Sequence, residues 1–387
     1  MTMLSSDSKS SSREPLYQRI YSDLKRRIDG GEWGNGSILP TENELCETYQ
    51  VSRGTVRQVL AEMENEGLVR RERGRGTFLI HAGLEKPLQT ASHPTISFIV
   101  PYVRDSFVSS ILLGVENVAR ACGCAVVFNH VENDLEEQEL ALRSAFQQGS
   151  GGIILYPVNS KDASLVLNEL IQRDFPLVLV DRYIRGMFTD YVTSDNFGGG
   201  LVATQHLLSL GHRRVAFLNW TEMATTMEHR RAGYRQALQE VGVAWEEGLE
   251  WEVKGYPEID LEALEEQLIA PECPTAIFAA NDQLALAVQK VARSLRLSIP
   301  EDLALVGFDN LEISAHVDIP ITTVAQPTFE MGKLAAEILL NKVKSAAQEG
   351  AFCPGQRRVL PVQMIVRQSC GANKTALTIY NEKKKGG

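Results

Sequence analysis

The sequence predicts an α/β protein with a small N-terminal domain of helices and one hairpin, followed by a large domain of parallel sheets flanked by helices. Three observations predict this division. Before residue 66 apolar residues recur at helical spacing, whereas after residue 94 continuous apolar runs alternate with amphipathic helical patterns. Between these regions, residues 81–94 read HAGLEKPLQTASHP, which is rich in Gly, Pro, Ser and Thr without periodicity and indicates a linker.

The composition is typical of a globular chain. Of the 387 residues, 44% are hydrophobic and 23% are charged, and no apolar run reaches the ~18 residues of a membrane span. The first twelve residues are polar and Ser-rich, without the apolar segment of a secretory signal, so we expect a cytoplasmic protein with reduced cysteines. Residues 1–80 carry 12 basic and 12 acidic residues, and residues 81–387 carry 27 and 37, so the net charge of −10 belongs to the large domain.

Helix signals divide the N-terminal domain into three helices. The first is predicted by apolar residues at every fourth position, namely Leu16, Ile20, Leu24 and Ile28. In LPTENEL, Thr41 is followed three residues later by Glu44, a capping box that predicts a helix over Glu42–Tyr49. Ser52 can cap a third helix that reaches about Glu66.

The third helix and the segment after it predict a winged helix-turn-helix over residues 14–80. One face of the helix is apolar, and the opposite face carries Arg53, Gly54, Arg57 and Ala61. The arms Leu68–Glu72 and Thr77–Ile80 then flank the turn Arg73–Gly76. A basic turn is often only a solvated surface, but arginines at 53, 57, 73 and 75 on the predicted DNA face favour DNA binding. The third helix would enter the major groove, and the turn would approach a phosphate or the minor groove.

This segment resembles a known family. LPTENEL, VSRGTVRQVLAEMENEGLV and RRERGRGTF are similar to the winged helix-turn-helix of the GntR family. The resemblance implies DNA contacts in the recognition helix and the wing, at Ser52, Arg53, Thr55, Arg57, Arg73, Gly74 and Arg75. We add Asn43, which stands where the family often has Arg and whose amide can bind phosphate or adenine.

Seven continuous apolar runs predict strands in the large domain: Ile96–Val100, Ala125–Phe128, Gly152–Tyr156, Leu177–Val180, Val215–Leu218, Ala276–Ala279 and Leu303–Phe308. Amphipathic helices between most of them predict βαβ units and parallel sheets. The runs form two clusters, which predict two similar lobes within residues 95–370. We expect lobe one at about 95–191 and 326–350, and lobe two at about 192–325 and 351–370. Residues 1–13 and 371–387 are expected to be disordered.

Polar side chains follow these strands, and ligands of such sheets bind at the carboxyl ends of the strands. The residues at these positions are Asp105, Ser106, Phe107, Asn159, Asp181, Arg182, Trp220, Thr221, Asn281, Asp282, Asp309 and Asn310. Carboxylates and amides pair with vicinal hydroxyls, and an aromatic ring packs on the apolar side of a sugar ring, so the set predicts a polyol ligand. Asp and Asn at such places are also common helix caps and turn formers with no ligand role, and we expect Asp282 and Asn310 to belong to this group.

Residues 95–370 resemble the effector domain of the lactose/purine repressor (LacI) family, which is similar to periplasmic sugar-binding proteins. The motifs, in order, are VTSDNFGGGLVATQHLLSLGHRRVAFL, HRRAGYRQAL, FAANDQLALAV and VGFDN. The resemblance implies effector contacts at Arg230, Asn281 and Asp309, and polar contacts at Asp181 and Arg182. The further candidates are Phe107, Tyr256 and Gln326. The DNA-binding module usual in that family is replaced by the winged domain, a combination similar to arabinose-repressor-type regulators.

The sequence therefore predicts a transcription regulator whose affinity for a pseudo-palindromic DNA operator is controlled by a small sugar, and which acts as a homodimer. A non-sugar polar effector is the alternative. A sugar-modifying enzyme is disfavoured, because there is no GxxxxGK[ST] or GxGxxG fingerprint and no cluster with zinc spacing, so we predict no catalytic residue, metal or cofactor. A transport-type binding protein is disfavoured by the winged domain and the missing export signal.

Overall fold

The computed structural model describes residues 16–29, 32–33, 36–66, 68–72, 75–79, 94–103, 105–159, 164–221, 224–255, 259–346 and 355–372. The chain divides into two compact units, which part between residues 79 and 94. We call the described residues up to 79, which belong to the first unit, the head, and the head and the two-lobed unit are described separately. Among the described residues, no helix is both long enough and apolar enough to cross a membrane.

The head contains three helices and a hairpin, as predicted. They are α1 (Leu16–Asp29), α2 (Glu42–Tyr49), α3 (Arg53–Asn65), β1 (Val69–Glu72) and β2 (Gly76–Leu79). The capping box forms, because the Thr41 hydroxyl accepts from the Glu44 amide while the Glu44 carboxylate accepts from the Thr41 amide. The strands β1 and β2 are antiparallel. The core is made by Ile20, Leu24, Ile28, Leu39, Leu45, Val56, Val59, Leu60, Met63, Val69 and Leu79.

The second unit contains two six-stranded sheets flanked by helices. The first sheet has the order β13-β7-β6-β5-β3-β4 and is parallel throughout. Its strands are β3 (Thr95–Val100), β4 (Ala125–His130), β5 (Ile153–Leu155), β6 (Leu177–Val180), β7 (Asp190–Ser194) and β13 (Arg357–Leu360). Its helices are α4 (Ser106–Ala121), α5 (Leu135–Gln147), α6 (Leu165–Gln172) and α11 (Thr328–Ala346).

The second sheet has the order β14-β12-β11-β10-β8-β9, with only the edge strand β14 antiparallel. Its strands are β8 (Val215–Trp220), β9 (Glu250–Val253), β10 (Ala276–Ala279), β11 (Ala304–Asp309), β12 (Thr322–Ala325) and β14 (Gln363–Ile365). Its helices are α7 (Asn196–Ser209), α8 (Thr225–Glu240), α9 (Leu261–Leu268) and α10 (Asp282–Ser294). Each sheet with its helices forms one lobe, and the chain passes between the lobes after β7, β12 and β13.

The structure corrects the predicted lobe limits at two places. Residues 351–370 were assigned to lobe two, but Arg357–Leu360 forms β13, which pairs in parallel with β7 and extends the sheet of lobe one. The carboxylate of Asp190 fixes this strand, since it accepts from the backbone amide of Gln356. The first passage between lobes also comes a few residues later than predicted, because β7 continues to Ser194.

In each lobe two helices meet through a pair of glycines. A Cβ on Gly332 of α11 would lie 2.0 Å from the carbonyl oxygen of Ile111 in α4, and one on Gly114 of α4 would lie 2.0 Å from the carbonyl of Phe329. The pair in lobe two is Gly200 of α7 and Gly233 of α8, where an added Cβ would lie 2.2 Å from a backbone oxygen in both cases. These helix pairs therefore pack backbone against backbone.

We expect Gly332→Ala to lower the free energy of unfolding by about 1–3 kcal/mol, because the methyl group can be accommodated only if α4 and α11 move apart. Urea denaturation of the full-length chain measures the loss. Gly248→Ala is the matched control, since a Cβ on Gly248 would meet no atom within 4 Å. Equal midpoints for Gly332→Ala and the unsubstituted chain would contradict the importance of this contact.

Candidate functional site

The residues predicted to contact DNA at α3 lie at its start, and all of them except the half-buried Thr55 are exposed. Ser52 precedes the helix, and its hydroxyl accepts from the Thr55 amide at 3.3 Å. Arg53 and Arg57 are exposed, whereas Val56 on the other face is buried. The structure thus joins Ser52 to Thr55 and leaves Arg53 and Arg57 exposed on the same helix. Their contact with DNA stays a prediction.

A carboxylate that the sequence reasoning missed organises part of this surface. Glu42, in the first turn of α2, accepts from Arg57 Nε at 2.9 Å and from a terminal nitrogen of Arg71 at 2.5 Å. These contacts hold two guanidinium groups beside each other at the surface. The only signal in the sequence was the position of Glu42 in the capped first turn, which does not reveal the pairing across elements.

The remaining predicted DNA contacts are distributed over α2 and the hairpin. Asn43 is exposed in the first turn of α2. Arg75 is exposed in the turn between β1 and β2, where it donates to Glu72 at 2.8 Å. Arg73 and Gly74 lie outside the described residues.

The effector residues predicted from the sequence converge between the lobes, where the carboxyl ends of both sheets face each other. Two adjoining spaces occur there, which we call the inner pocket, of about 30 Å³, and the outer chamber, of about 430 Å³. Seven of the eight predicted effector residues line the inner pocket, namely Phe107, Asp181, Arg182, Arg230, Asn281, Asp309 and Gln326. Tyr256 lies outside the described residues.

Arg230 is the centre of the inner pocket on the side of lobe two. Its side chain projects from α8 and is 2% exposed. Its Nε donates to Asn196 Oδ1 at 2.8 Å, and a terminal nitrogen donates to the carbonyl of Ala280 at 2.6 Å. The same nitrogen lies 3.3 Å from Asp309 Oδ1, and the guanidinium carbon lies 3.6 Å from the centre of the Phe308 ring.

Asp309 is held at the end of β11 by its backbone and its neighbours. Its φ of 102° lies in the left-handed region, which is uncommon for a residue with a side chain. The Gln326 side-chain nitrogen donates to Asp309 Oδ1 at 2.6 Å, and the Gln326 side-chain oxygen accepts from the Ser194 hydroxyl at 2.5 Å. Burial raises the pKa of Asp309 above its ordinary value, while the guanidinium of Arg230 acts in the opposite direction.

Arg182 lines the inner pocket on the side of lobe one, just after β6, and has partners in the protein. A terminal nitrogen donates to the Tyr156 hydroxyl at 2.9 Å, and the guanidinium carbon lies 4.6 Å from the Tyr156 ring centre. Its Nε lies 3.5 Å from Asp181 Oδ2. The hydroxyls of Tyr156 and Tyr102 are 3.1 Å apart. These tyrosines were missed, because an aromatic residue after an apolar strand is most often core.

Residues from both lobes line the outer chamber, and most of them were not among the predicted effector contacts. They are Tyr102, Asn133, Asn159, Arg182, Trp220, Thr221, Ala224, Met227, Val253, Lys254, Gly255 and Asn281. Asn133 was missed, since it follows β4 in a turn with φ of 56°. Its Oδ1 accepts from the backbone amide of Asn159 at 3.0 Å, and this bond connects the segments that follow β4 and β5. Amides, a hydroxyl and aromatic rings therefore face the same space.

Asp282 and Asn310 bond to other segments of the protein, and the side chain that caps α10 is that of Asn281 rather than Asp282. Asp282 is fully buried and accepts from the Thr323 hydroxyl at 2.6 Å and from the Leu311 amide at 2.8 Å, and burial raises its pKa to about 6. Asn310 accepts from Arg367 at 2.6 Å. Asn281 also caps α10, with its Oδ1 accepting from the Leu284 amide at 3.0 Å.

Hydrogen bonds join the two lobes directly beside the inner pocket. Gln283 of lobe two donates to Asp105 Oδ2 of lobe one at 2.9 Å. Tyr183 of lobe one lies 3.1 Å, oxygen to nitrogen, from His229 Nε2 of lobe two. The two lobes are therefore in contact with each other beside the cleft.

Comparisons with known proteins agree with both parts of this description. Residues 16–79 match the model of bacterial regulatory proteins of the gntR family, and residues 204–370 match that of the periplasmic binding protein-like domain. A solved complex of the transcriptional regulator CelR with cellobiose aligns with a TM-score of 0.66 at 27% identity, over 83% of this chain and 92% of that one. A LacI-family regulator from Enterococcus faecium with bound ribose aligns with a TM-score of 0.60 at 26% identity, over 71% and 98%.

Similar full-length relatives are transcription regulators. The arabinose metabolism transcriptional repressor of Geobacillus stearothermophilus is 31% identical over 85% of this chain and 92% of its own length. The repressor of the same name from Halalkalibacterium halodurans is 28% identical over 94% and 98%. The chain therefore belongs to the arabinose-repressor type of transcription regulators, DNA-binding repressors in which a gntR-family head precedes a periplasmic-binding-protein-like effector domain.

Proposed function

We propose that this repressor controls carbohydrate-utilisation genes in the cytoplasm, binds a pseudo-palindromic operator as a homodimer, and loses operator affinity when a small sugar occupies the cleft between its lobes. The observation that carries the proposal is the convergence of seven predicted effector residues on one interlobe pocket, in a chain that also has a gntR-family head. Repeated half-sites suit a dimer, because each subunit contributes one head.

The charges of the inner pocket favour a neutral polar effector. Asp181 lies 3.5 Å from Arg182, and Asp309 lies 3.3 Å from Arg230, so each guanidinium already has a carboxylate beside it. An ionic effector would have to compete with these pairs, whereas hydroxyl groups can bond to them without displacing either partner. The neighbours solved with cellobiose and with ribose, and the relatives named for arabinose metabolism, give further support for a sugar.

The proposed contacts are those predicted from the sequence. For DNA they are Asn43, Ser52, Arg53, Thr55, Arg57, Arg73, Gly74 and Arg75. For the effector they are Phe107, Asp181, Arg182, Arg230, Tyr256, Asn281, Asp309 and Gln326.

Operator titration tests the proposal. Selection from random duplex DNA supplies an operator, and the labelled operator is then titrated with the full-length protein at fixed salt, with and without each of a panel of sugars. We expect one class of sugar to raise the Kd for the operator at least tenfold. Thermal stabilisation supplies an independent readout, since a ligand at 100 times its Kd adds about 2.7 kcal/mol. A sugar that binds and leaves operator affinity unchanged would contradict the proposed control.

A further inference from the structure

We infer that the effector contains at least two linked sugar rings, and that the second ring lies in the outer chamber toward the β4 and β9 edges of the two sheets. This inference rests on the proposed function, because it names the class of sugar that the cleft accepts. It is carried by the size of the two spaces, by their extent across the strands, and by the chemistry of the outer chamber.

The first step is the size of the two spaces. The inner pocket of about 30 Å³ has room for about one water molecule. While the lobes are in contact, the first ring therefore lies in the outer chamber against Arg182 and Asn281, which line both spaces, and it reaches the other residues of the inner pocket only when the lobes part. The outer chamber of about 430 Å³ falls in the range of about 300–1,000 Å³ that accommodates drug-sized ligands. A single pentose would leave much of this chamber filled only with water.

The second step is the extent of the chamber across lobe two. Its lining includes Asn281 after β10, Thr221 after β8 and Lys254 after β9, and these strands are neighbours in that order. Adjacent strands are spaced by ~4.8 Å, so three strand ends span about 10 Å, roughly the length of two linked sugar rings. The chamber is therefore elongated along the strand ends.

Lobe one has the same elongation. The lining follows four consecutive strands of its sheet, β6, β5, β3 and β4, with Arg182, Asn159, Tyr102 and Asn133 at their ends. At the strand spacing of ~4.8 Å, this row spans about 14 Å. Both walls thus run from the middle of a sheet, where the predicted effector residues lie, to the edge.

The third step is the chemistry of this outer part. Trp220 and Tyr102 offer aromatic surface for the apolar side of a ring, and the amides of Asn133 and Asn159 are groups of the kind that bond to hydroxyls. Lys254 and Gly255 at the far end are exposed, so the chamber reaches solvent there. A disaccharide would fill the chamber, and longer chains of the same sugar would extend outward.

Calorimetric titration of the full-length protein tests the inference with matched pairs of ligands: arabinose, xylose, glucose and galactose, each compared with disaccharides built from it. We expect one disaccharide to bind at least thirtyfold more tightly than its own monosaccharide, and to release the operator. A monosaccharide that binds as tightly as its disaccharides and releases the operator would overturn the inference and leave the proposed function intact. Release of the operator by no sugar of the panel would overturn both.

A variant locates the second ring. Thr221 is exposed at the chamber wall, so Thr221→Trp should narrow the outer part without disturbing the core. We expect it to weaken disaccharide binding at least tenfold more than monosaccharide binding. Ile269→Trp is the matched control, since Ile269 is 63% exposed and does not line the cleft, and it should change neither affinity. Equal losses for mono- and disaccharide with Thr221→Trp would contradict the position of the second ring.

Discussion

Arg230→Met is expected to lower the free energy of unfolding by about 3–5 kcal/mol and to abolish the response to effector. The substitution keeps the length of the side chain but removes its charge, leaving the largely buried carboxylate of Asp309 without its cation and the Ala280 carbonyl without this donor. Thermal and urea unfolding of the full-length chain measure the loss of stability, and operator titration measures the loss of response.

Rescue and pH dependence separate this cause from a general packing defect. Adding Asp309→Asn should restore a large part of the lost stability, because it removes the unpaired charge, and Asn tolerates the φ of 102°. Burial already raises the pKa of Asp309, and loss of Arg230 raises it further, so protonation at lower pH should relieve the defect. The deficit of Arg230→Met should therefore shrink as pH falls.

A matched arginine at the surface supplies the control. Arg293 pairs with Asp318, and both side chains are about two-thirds or more exposed, so Arg293→Met should cost less than about 1 kcal/mol. If Arg230→Met were no more harmful than Arg293→Met, or if Asp309→Asn gave no rescue at any pH, the buried pair would not have the role that its geometry indicates.

Arg53→Ala and Arg57→Ala are each expected to weaken operator binding by about 1–3 kcal/mol, roughly 5- to 150-fold, and to relax the preference for particular bases. Both arginines are exposed on α3, where a recognition helix presents side chains to the major groove. Titration of the operator and of operators with single base changes measures both effects. Undiminished affinity and base preference in both variants would exclude this face from recognition.

The wing should behave differently. Arg75→Ala should weaken binding to all sequences alike and reduce the salt slope of log Kd by about 1, as expected for the loss of one phosphate contact. Arg173→Ala, directly after α6 in the other unit, removes an equal charge and should leave DNA binding unchanged. A base-specific effect of Arg75→Ala would contradict the assignment to phosphate.

Local signals in the sequence predicted the head closely. The Thr41–Glu44 capping box and the Ser52 cap set the starts of α2 and α3 where the structure has them, because these signals act through backbone groups within one turn. The network around Glu42 could not be predicted in the same way. It joins α2 to Arg57 and Arg71, which are 15 and 29 residues away, and sequence spacing contains no information about such a contact.

In the described part of the second unit, all seven strands predicted from apolar runs are present, and five further strands were missed. β9, β13 and β14 are edge strands and do not need a continuous apolar run. β7 and β12 are internal but contain buried Thr and Ser, whose hydroxyls are satisfied by partners in other segments. Thr323, for example, donates to Asp282. A search for apolar runs misses these strands, because the partners that satisfy their buried hydroxyls are distant in the sequence.

The same limit applies to the cleft. Motif positions and strand ends sufficed to bring seven of the eight predicted effector residues to one pocket. The division of that cleft into a narrow inner pocket and a wide outer chamber depends on how closely the lobes approach, which no local pattern encodes. The row of residues toward the β4 and β9 edges was therefore only partly anticipated.

The paired glycines have a mechanical consequence. Where backbone meets backbone, as at Gly114 with Gly332 and at Gly200 with Gly233, no rotamers are available to absorb displacement. Each lobe should therefore move as a rigid body when a ligand enters the cleft, with bending confined to the three connections after β7, β12 and β13. Stiffness of this kind converts a small change of angle at the ligand into a larger excursion at the far end of each lobe.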